Sequence, residues 1–221
     1  MIDAVAIVSG GMDSVTMLHY LVKRQHQHPL VLTFTYGQKH SKELVYAQYH
    51  AELLNCPAHC LVDLSFLRAA FASSSLVSAD LNVPDIATVQ GDPQPSTYVP
   101  NRNMIFLSIA AAWAETVGAS EIYYGAQRHD LYGYWDTTPD FLTQINAILH
   151  LNRKHHIQVR APLVSYAKAD VLRLGLELDI DYSQTWSCYR GNQVACGVCP
   201  TCAERLAAFA QVGVSDPLPY T

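Results

Sequence analysis

Two groups of residues in this chain carry chemistry by their type and spacing. The first is Ser9-Gly10-Gly11-Met12-Asp13-Ser14, placed where a short apolar run, Val5 to Val8, gives way to residues of helical period. Glycines at such a junction let the backbone take positive φ and let N–H groups approach a ligand closely. The start of the next helix offers unpaired donors and a partial positive charge to an anion, and Ser9 and Ser14 add hydroxyls. The spacing Gly-x-x-x-x-Gly-Lys-Ser/Thr is missing, so this is not the loop that sets a lysine on a terminal phosphate. Gly-Gly alone would fit an ordinary serine-capped turn. The full hexapeptide at the end of a first strand points instead to a phosphate cradle.

The second group is Cys188-x7-Cys196-x2-Cys199-x2-Cys202. Four thiolates in one short segment suit tetrahedral Zn²⁺, because a two-residue spacing lets one tight turn aim two sulfurs at one ion. Gly191 and Gly197 supply the turning. A Cys-x2-Cys-x2-Cys run also opens a ferredoxin signature, but there the fourth cysteine lies downstream, whereas Cys188 lies upstream. Zinc is expected, with an iron–sulfur cluster and free or redox thiols as alternatives. Cys56 and Cys60 lack such partners and are expected to be ordinary core cysteines.

The elements that must position these groups follow an α/β alternation, in which apolar runs are separated by helical periods. Strands are expected at Val5 to Val8, Leu30 to Thr35, His59 to Val62, Glu121 to Tyr124 and Ile157 to Arg160. Helices are expected from about Ser14, from Ser41 to Leu54, from Asn103 to Val117 as a buried core helix, from Thr138 to Arg153, and from a Ser165 cap to about Leu178. Residues 73–100, rich in Ser, Pro, Asp and Gly, form a loop too long for a mere connection and read as a substrate wall or lid. The tail from Gly213 to Thr221 reads as an irregular end.

With 221 residues, 50% of them apolar and 15% charged, the chain is globular and not intrinsically disordered. A net charge of −5, from 14 Lys and Arg against 19 Asp and Glu, disfavours a nucleic-acid partner and favours small-molecule substrates. Met1-Ile2-Asp3 carries no basic region, and Ala4 to Val8 is too short for a signal peptide. The longest apolar segment, Met104 to Ala114, falls short of a membrane span. A cytoplasmic location without membrane association is expected.

The hexapeptide resembles the Ser-Gly-Gly-x-Asp-Ser loop of the PP-loop ATP-pyrophosphatase family. That likeness implies a parallel-sheet adenine-nucleotide α-hydrolase-like fold over residues 1–180, with residues 181–221 as a zinc-binding four-cysteine loop and C-terminal helix. It also implies ATP with Mg²⁺ as cosubstrate, and cleavage between the α and β phosphates to form an adenylate. Nucleotide contact then falls to Ser9, Gly10, Gly11, Met12, Asp13, Ser14 and Gly125.

Loop and cysteines together resemble the 7-cyano-7-deazaguanine synthase family of the queuosine pathway. Tyr36-Gly37-Gln38-Lys39-His40 followed by Glu43, Val99-Pro100-Asn101-Arg102-Asn103, Lys168, Thr185-Trp186-Ser187-Cys188-Tyr189 and Arg205 extend the likeness over nearly the whole chain. The likeness implies conversion of 7-carboxy-7-deazaguanine with ammonia and ATP, through an adenylate and an amide, to the nitrile, by a homodimer. Asp13, Ser14, Arg102, Lys168 and His40 are the catalytic candidates. Tyr36, Gln38, Arg102, Asn103, Asp130, Tyr134 and Asp136 are the substrate-binding candidates, with Asp130 or Asp136 accepting from the guanine-like edge. His129 shares with His40 the expectation of a proton acceptor for ammonium.

The chain departs from the family's Tyr-Pro-Asp-Cys at Tyr134-Trp135-Asp136-Thr137, and from its glycine at Asn101. Both departures are expected near the acyl group. They leave open a second reading, in which the activated deazaguanine is joined to another amine, such as a protein N-terminus in a bacterial defence system. A tRNA-thiolating enzyme with an iron–sulfur cluster is a third reading, and its need for a basic surface counts against it. A zinc module that merely binds a nucleotide is a fourth.

Overall fold

A computed structural model describes residues 2–128, 134–191 and 193–221 of the protein. Five strands, β1 (Ala4–Ile7), β2 (Pro29–Thr35), β3 (Ala58–Asp63), β4 (Glu121–Tyr124) and β5 (Gln158–Arg160), form one parallel sheet in the order β3-β2-β1-β4-β5. The helices are α1 (Met12–Lys23), α2 (Lys42–Leu53), α3 (Ile86–Val89), α4 (Arg102–Val117), α5 (Pro139–Leu149), α6 (Lys168–Glu177) and α7 (Pro200–Val212).

Alternation along the strands sorts the core into two layers, as a sheet covered on both faces requires. Ala4, Ala6, Val8 and Val31 pack with Met17, Leu18 and Leu21 of α1, Ala47 and Ala51 of α2, and Val171 of α6. Val5, Leu30, Leu32 and Ile122 pack on the other face with Leu107 and Ala110 of α4 and Phe141 and Ile145 of α5. A third cluster joins α1, α6 and α7 through Met12, Val15, Leu172, Ala208 and Phe209. The chain leaves β1 toward β2 on one side and reaches β4 on the other, so a crevice opens at the carboxyl ends of β1 and β4, where such sheets bind ligands.

Several expected boundaries shift for local reasons. Helix α1 begins at Met12, before Ser14, and of the two glycines in the turn that precedes it only Gly10 has positive φ (92°). Helix α5 ends at Leu149 instead of Arg153. Ser165 does not cap α6: residues 161–166 are taken up by two turns, Ala167 holds the N-cap, and Asp170 Oδ2 accepts the Ala167 N–H at 3.3 Å. Helix α4 is buried along one face only, through Phe106, Leu107, Ala110, Ala111 and Ala114. Cys56 and Cys60 are half-buried at the core margin.

The C-terminal tail is irregular, as its sequence suggests, yet anchored. Tyr220 bridges to Ala195 beside the cysteines, and the buried Arg205 forms a two-point pair with Asp216 at 2.8 and 2.9 Å. Arg205 also donates to Thr185 Oγ1 and the Tyr182 carbonyl. No helix among the described residues is long and apolar enough to cross a membrane.

Candidate active site

The crevice holds a cavity of about 220 Å³. One part of its wall is polar and belongs to the β1–α1 turn: Ser9, Gly11, Asp13 and Ser14, with Lys168 from the first position of α6. The turn is self-satisfied by its hydroxyls. Gly11 N–H donates to Ser9 Oγ at 3.2 Å, Ser9 N–H to Ser14 Oγ at 3.1 Å, and the Ser14 hydroxyl to the Gly11 carbonyl at 3.1 Å. No side chain caps α1, so its first-turn N–H groups remain available to an anion.

The glycines serve close packing. A Cβ on Gly10 would lie 1.9 Å from the Glu43 carbonyl of α2, and one on Gly125 would lie 2.9 Å from Ser14 Cα. Gly10 itself does not line the cavity. It lets α2 abut the turn that does.

Lys168 Nζ lies 2.6 Å from Asp13 Oδ2, while Asp13 Oδ1 is buried without a partner. A carboxylate left with one free oxygen beside a cation suits the neighbourhood of a metal-bound polyphosphate.

Another part of the wall is aromatic, with Phe34, Tyr36, Phe106, Tyr124, Tyr134 and Tyr189 sharing it with Arg102. Phe34 and Phe106 stack at 4.0 Å, and Arg102 donates to Tyr36 Oη at 3.1 Å. Burial works against the Arg102 charge, but Tyr36, Tyr189 and Asp136 more than offset it. Burial pushes the Tyr134 phenol up to about 12, so it stays neutral and hydrogen-bonds Thr97 at 2.6 Å. A planar heterocycle with an anionic substituent suits such a wall.

Among the expected substrate residues, Tyr36, Arg102, Asn103 and Tyr134 line the cavity. Gln38 does not: Oε1 accepts the Tyr36 N–H at 2.7 Å and Nε2 donates to the Phe34 carbonyl, which braces the turn after β2. Asp136 is buried behind the wall, close to Arg102 and Asn103, and burial raises its pKa. Asp130 and His129 lie outside the described residues. His40 is on the wall and pairs with Glu43.

The two departures prove less intimate with the cavity than expected. Asn101 is exposed and left-handed (φ 53°) at the N-cap of α4, a conformation that asparagine accepts best after glycine. Trp135 is 41% exposed, packs edge-on against Phe141 and donates to Tyr98 Oη, and only Thr137 reaches the wall.

Sequence reasoning missed Tyr124, the last residue of β4, Gln127 just beyond it, and Thr201 and Glu204 of α7. The first two follow the rule that ligands meet strand carboxyl ends. The latter arrive only because α7 folds back over the crevice.

Cys188, Cys196, Cys199 and Cys202 are all buried, with their sulfurs within 4.8 Å of one another. A tetrahedral tetrathiolate zinc site spaces its sulfurs by about 3.8 Å, while a cubane cluster would hold them wider. Cys196 N–H points at Cys188 Sγ and Cys199 N–H at Cys196 Sγ, the backbone pattern that steadies thiolates.

Comparison with known proteins agrees with this geometry. The family model for queuosine biosynthesis protein QueC matches residues 3–213. The chain is 46% identical over 217 residues to the 7-cyano-7-deazaguanine synthase of Caldicellulosiruptor bescii, covering 98% of this chain and 96% of that protein. Among solved structures, NMN synthetase from Francisella tularensis aligns with a TM-score of 0.53 at 14% identity, over 96% of this chain and 78% of that one. The U34-tRNA thiolase NcsA from Methanococcus maripaludis, solved with its 4Fe-4S cluster, aligns at 0.51 and 16% identity, over 86% of this chain and 62% of that one. These two likenesses show the fold alone.

Proposed function

The chain belongs to the QueC family of queuosine biosynthesis proteins, and on that premise we propose that it is an ATP-dependent ligase that makes 7-cyano-7-deazaguanine from 7-carboxy-7-deazaguanine and ammonia. The observation that carries this reading is the shared cavity, in which an anion-binding turn and a half-buried arginine among aromatic side chains meet in one space. ATP would lay its phosphates on Ser9, Gly11, Met12, Asp13 and Ser14, with Gly10 and Gly125 allowing the close packing beneath them. Mg²⁺ would supply charge neutralisation on the phosphates, and Asp13 Oδ1 is the oxygen free to face it.

The substrate carboxylate attacks the α phosphorus, pyrophosphate leaves, and an acyl adenylate forms. Lys168 and Arg102 offset the charge that gathers as two anions meet. Ammonia then displaces AMP to give the amide; the amide oxygen attacks the α phosphorus of a second ATP, pyrophosphate leaves, and that oxygen departs with a second AMP as the nitrogen loses its two protons, which gives the nitrile. Tyr36, Asn103 and Tyr134 hold the deazaguanine, and His40 accepts a proton from the incoming ammonium. Residues 1–180 form the ATP-binding unit in this reading. Residues 181–221 carry the cysteine site, where zinc would supply folding free energy through Cys188, Cys196, Cys199 and Cys202.

The alternative with a protein acceptor is not favoured, because the full-length relatives carry the synthase name. The test is mass spectrometry of the product from 7-carboxy-7-deazaguanine, ATP, Mg²⁺ and ammonia. Nitrile with stoichiometric AMP and pyrophosphate is expected, and ADP as the nucleotide product would overturn the reading.

A further inference from the structure

A hydroxyl has a single hydrogen to donate, and the β1–α1 turn uses both of its own internally. Ser14 Oγ accepts the Ser9 N–H and donates to the Gly11 carbonyl, which leaves the Ser9 hydroxyl to donate across 3.1 Å to Ser14 Oγ. Of the other serine and threonine hydroxyls on the cavity wall, Thr137 donates to the Tyr134 carbonyl at 2.8 Å and Thr201 to the Ser187 carbonyl at 2.6 Å. Ser187 remains. It is half-buried on the same wall, and among the described residues its hydroxyl has no hydrogen-bond partner. That oxygen is open, unlike the Tyr124 phenol oxygen, which is buried without a partner.

The position of Ser187 is fixed from both sides. The Trp186 N–H donates to the Gly10 carbonyl at 3.1 Å, and the Trp186 carbonyl lies 3.5 Å from the place a Cβ on Gly11 would take. The Trp186 indole is buried, donates to the Cys188 carbonyl at 3.1 Å and carries Lys42 Nζ 4.1 Å from its ring centre. Cys188 follows, buried in the four-sulfur cluster. The segment that enters the cysteine loop is thus laid backbone to backbone along the anion-binding turn, and it brings an unused hydroxyl there. A donor held in this way has little freedom left to lose when a charged acceptor arrives.

We infer that Ser187 is a phosphate-binding residue: its hydroxyl donates to the phosphates that leave ATP as pyrophosphate, beside the first-turn N–H groups of α1. The inference rests on the ligase reading above. The start of α1 is the end of the cavity where negative charge is favoured. Pyrophosphate gains charge as its bond to the α phosphorus breaks, so a donor placed there binds more strongly as the reaction proceeds. The cysteine loop then has two duties, to gather four thiolates and to complete the phosphate site.

The test is calorimetry on the whole chain with α,β-methylene-ATP, which cannot be split between its α and β phosphorus atoms. Ser187→Ala should weaken its binding roughly twentyfold, the scale of one hydrogen bond to a charged group. Inhibition by pyrophosphate should weaken by a similar factor, while inhibition by AMP, the KM for 7-carboxy-7-deazaguanine and the melting temperature stay close to those of the wild type. Ser187→Thr, which keeps the hydroxyl, should restore most of the affinity. Unchanged binding of the analogue by Ser187→Ala, or a loss confined to the KM of the carboxylate, would overturn the inference alone. So would a Ser187→Thr variant no better than Ser187→Ala, which would assign the loss to the shape of the loop. Release of ADP by the wild type in place of AMP and pyrophosphate would overturn the ligase reading, and the inference with it.

Discussion

The two glycines of Ser9-Gly10-Gly11 look equivalent in sequence but differ in what they tolerate. Gly10 combines a φ of 92° with a Cβ position 1.9 Å from the Glu43 carbonyl, whereas a Cβ on Gly11 would meet nothing nearer than Ser9 Oγ at 3.3 Å. Gly10→Ala is therefore expected to cost roughly 3 kcal/mol through strain and displaced backbone, and Gly11→Ala much less, as denaturant titrations of the two variants will measure. Similar melting points for both would refute the distinction. At the same scale, Trp135→Phe should leave the ratio of amide to nitrile unchanged, because the indole faces Phe141 and Tyr98 and not the cavity. Product mass spectrometry checks this, and a changed ratio would return Trp135 to the acyl site.

Between elements, the tail and α7 act as one clasp on the cysteine loop. Asp216 accepts from Arg205 and from Tyr220 Oη, while residue 221 donates its N–H to the Ala195 carbonyl next to Cys196. Asp216→Ala would leave the Arg205 cation buried and unpaired, a change that typically costs about 3 to 5 kcal/mol. Elemental analysis should find one zinc per chain in the wild type, and a chelator should strip it faster from the variant. Unaltered melting and metal retention would show the clasp to be dispensable. This clasp was hardly legible in sequence: Asp216-Pro217 and Pro219 read as an irregular end, since a pairing across eleven residues and a helix leaves no periodic trace. The strands and the two chemical motifs were legible because local patterns produce them, the apolar runs by burial on both faces and the cysteines by two-residue spacing. Gln38 and Asp136 were misplaced for the opposite reason. A polar side chain near a motif looks free in sequence, and only tertiary packing reveals that the first is spent on backbone and the second lies behind the wall.

The whole molecule is joined through a buried histidine pair that no motif announced. His19 of α1 and His50 of α2 meet with Nε2 and Nδ1 at 3.0 Å, and His50 Nε2 reaches the Gln184 carbonyl in the short turn that leads to the cysteine loop. Both are fully buried and the His19 Nδ1 has no partner. Burial lowers both pKa values: that of His19, with help from the His50 and Lys23 charges, to about 3 from an ordinary 6.5, and that of His50 despite its bond to Gln184. A histidine depressed in the folded state binds its proton first in the unfolded state, so stability is intact above pH 6.5 and falls as the pH drops from there toward about 3. Each such proton contributes a slope of about 1.4 kcal/mol per pH unit within its window. Urea titrations at pH 7.5, 6 and 5 should therefore show falling stability in the wild type, and His19→Gln should flatten the fall. Acid release of a cysteine-bound metal would lower both proteins alike, so the difference between them isolates the pair. Parallel curves would mean that the buried pair does not couple the sheet's helices to proton activity, and that acid acts on the cysteine site alone.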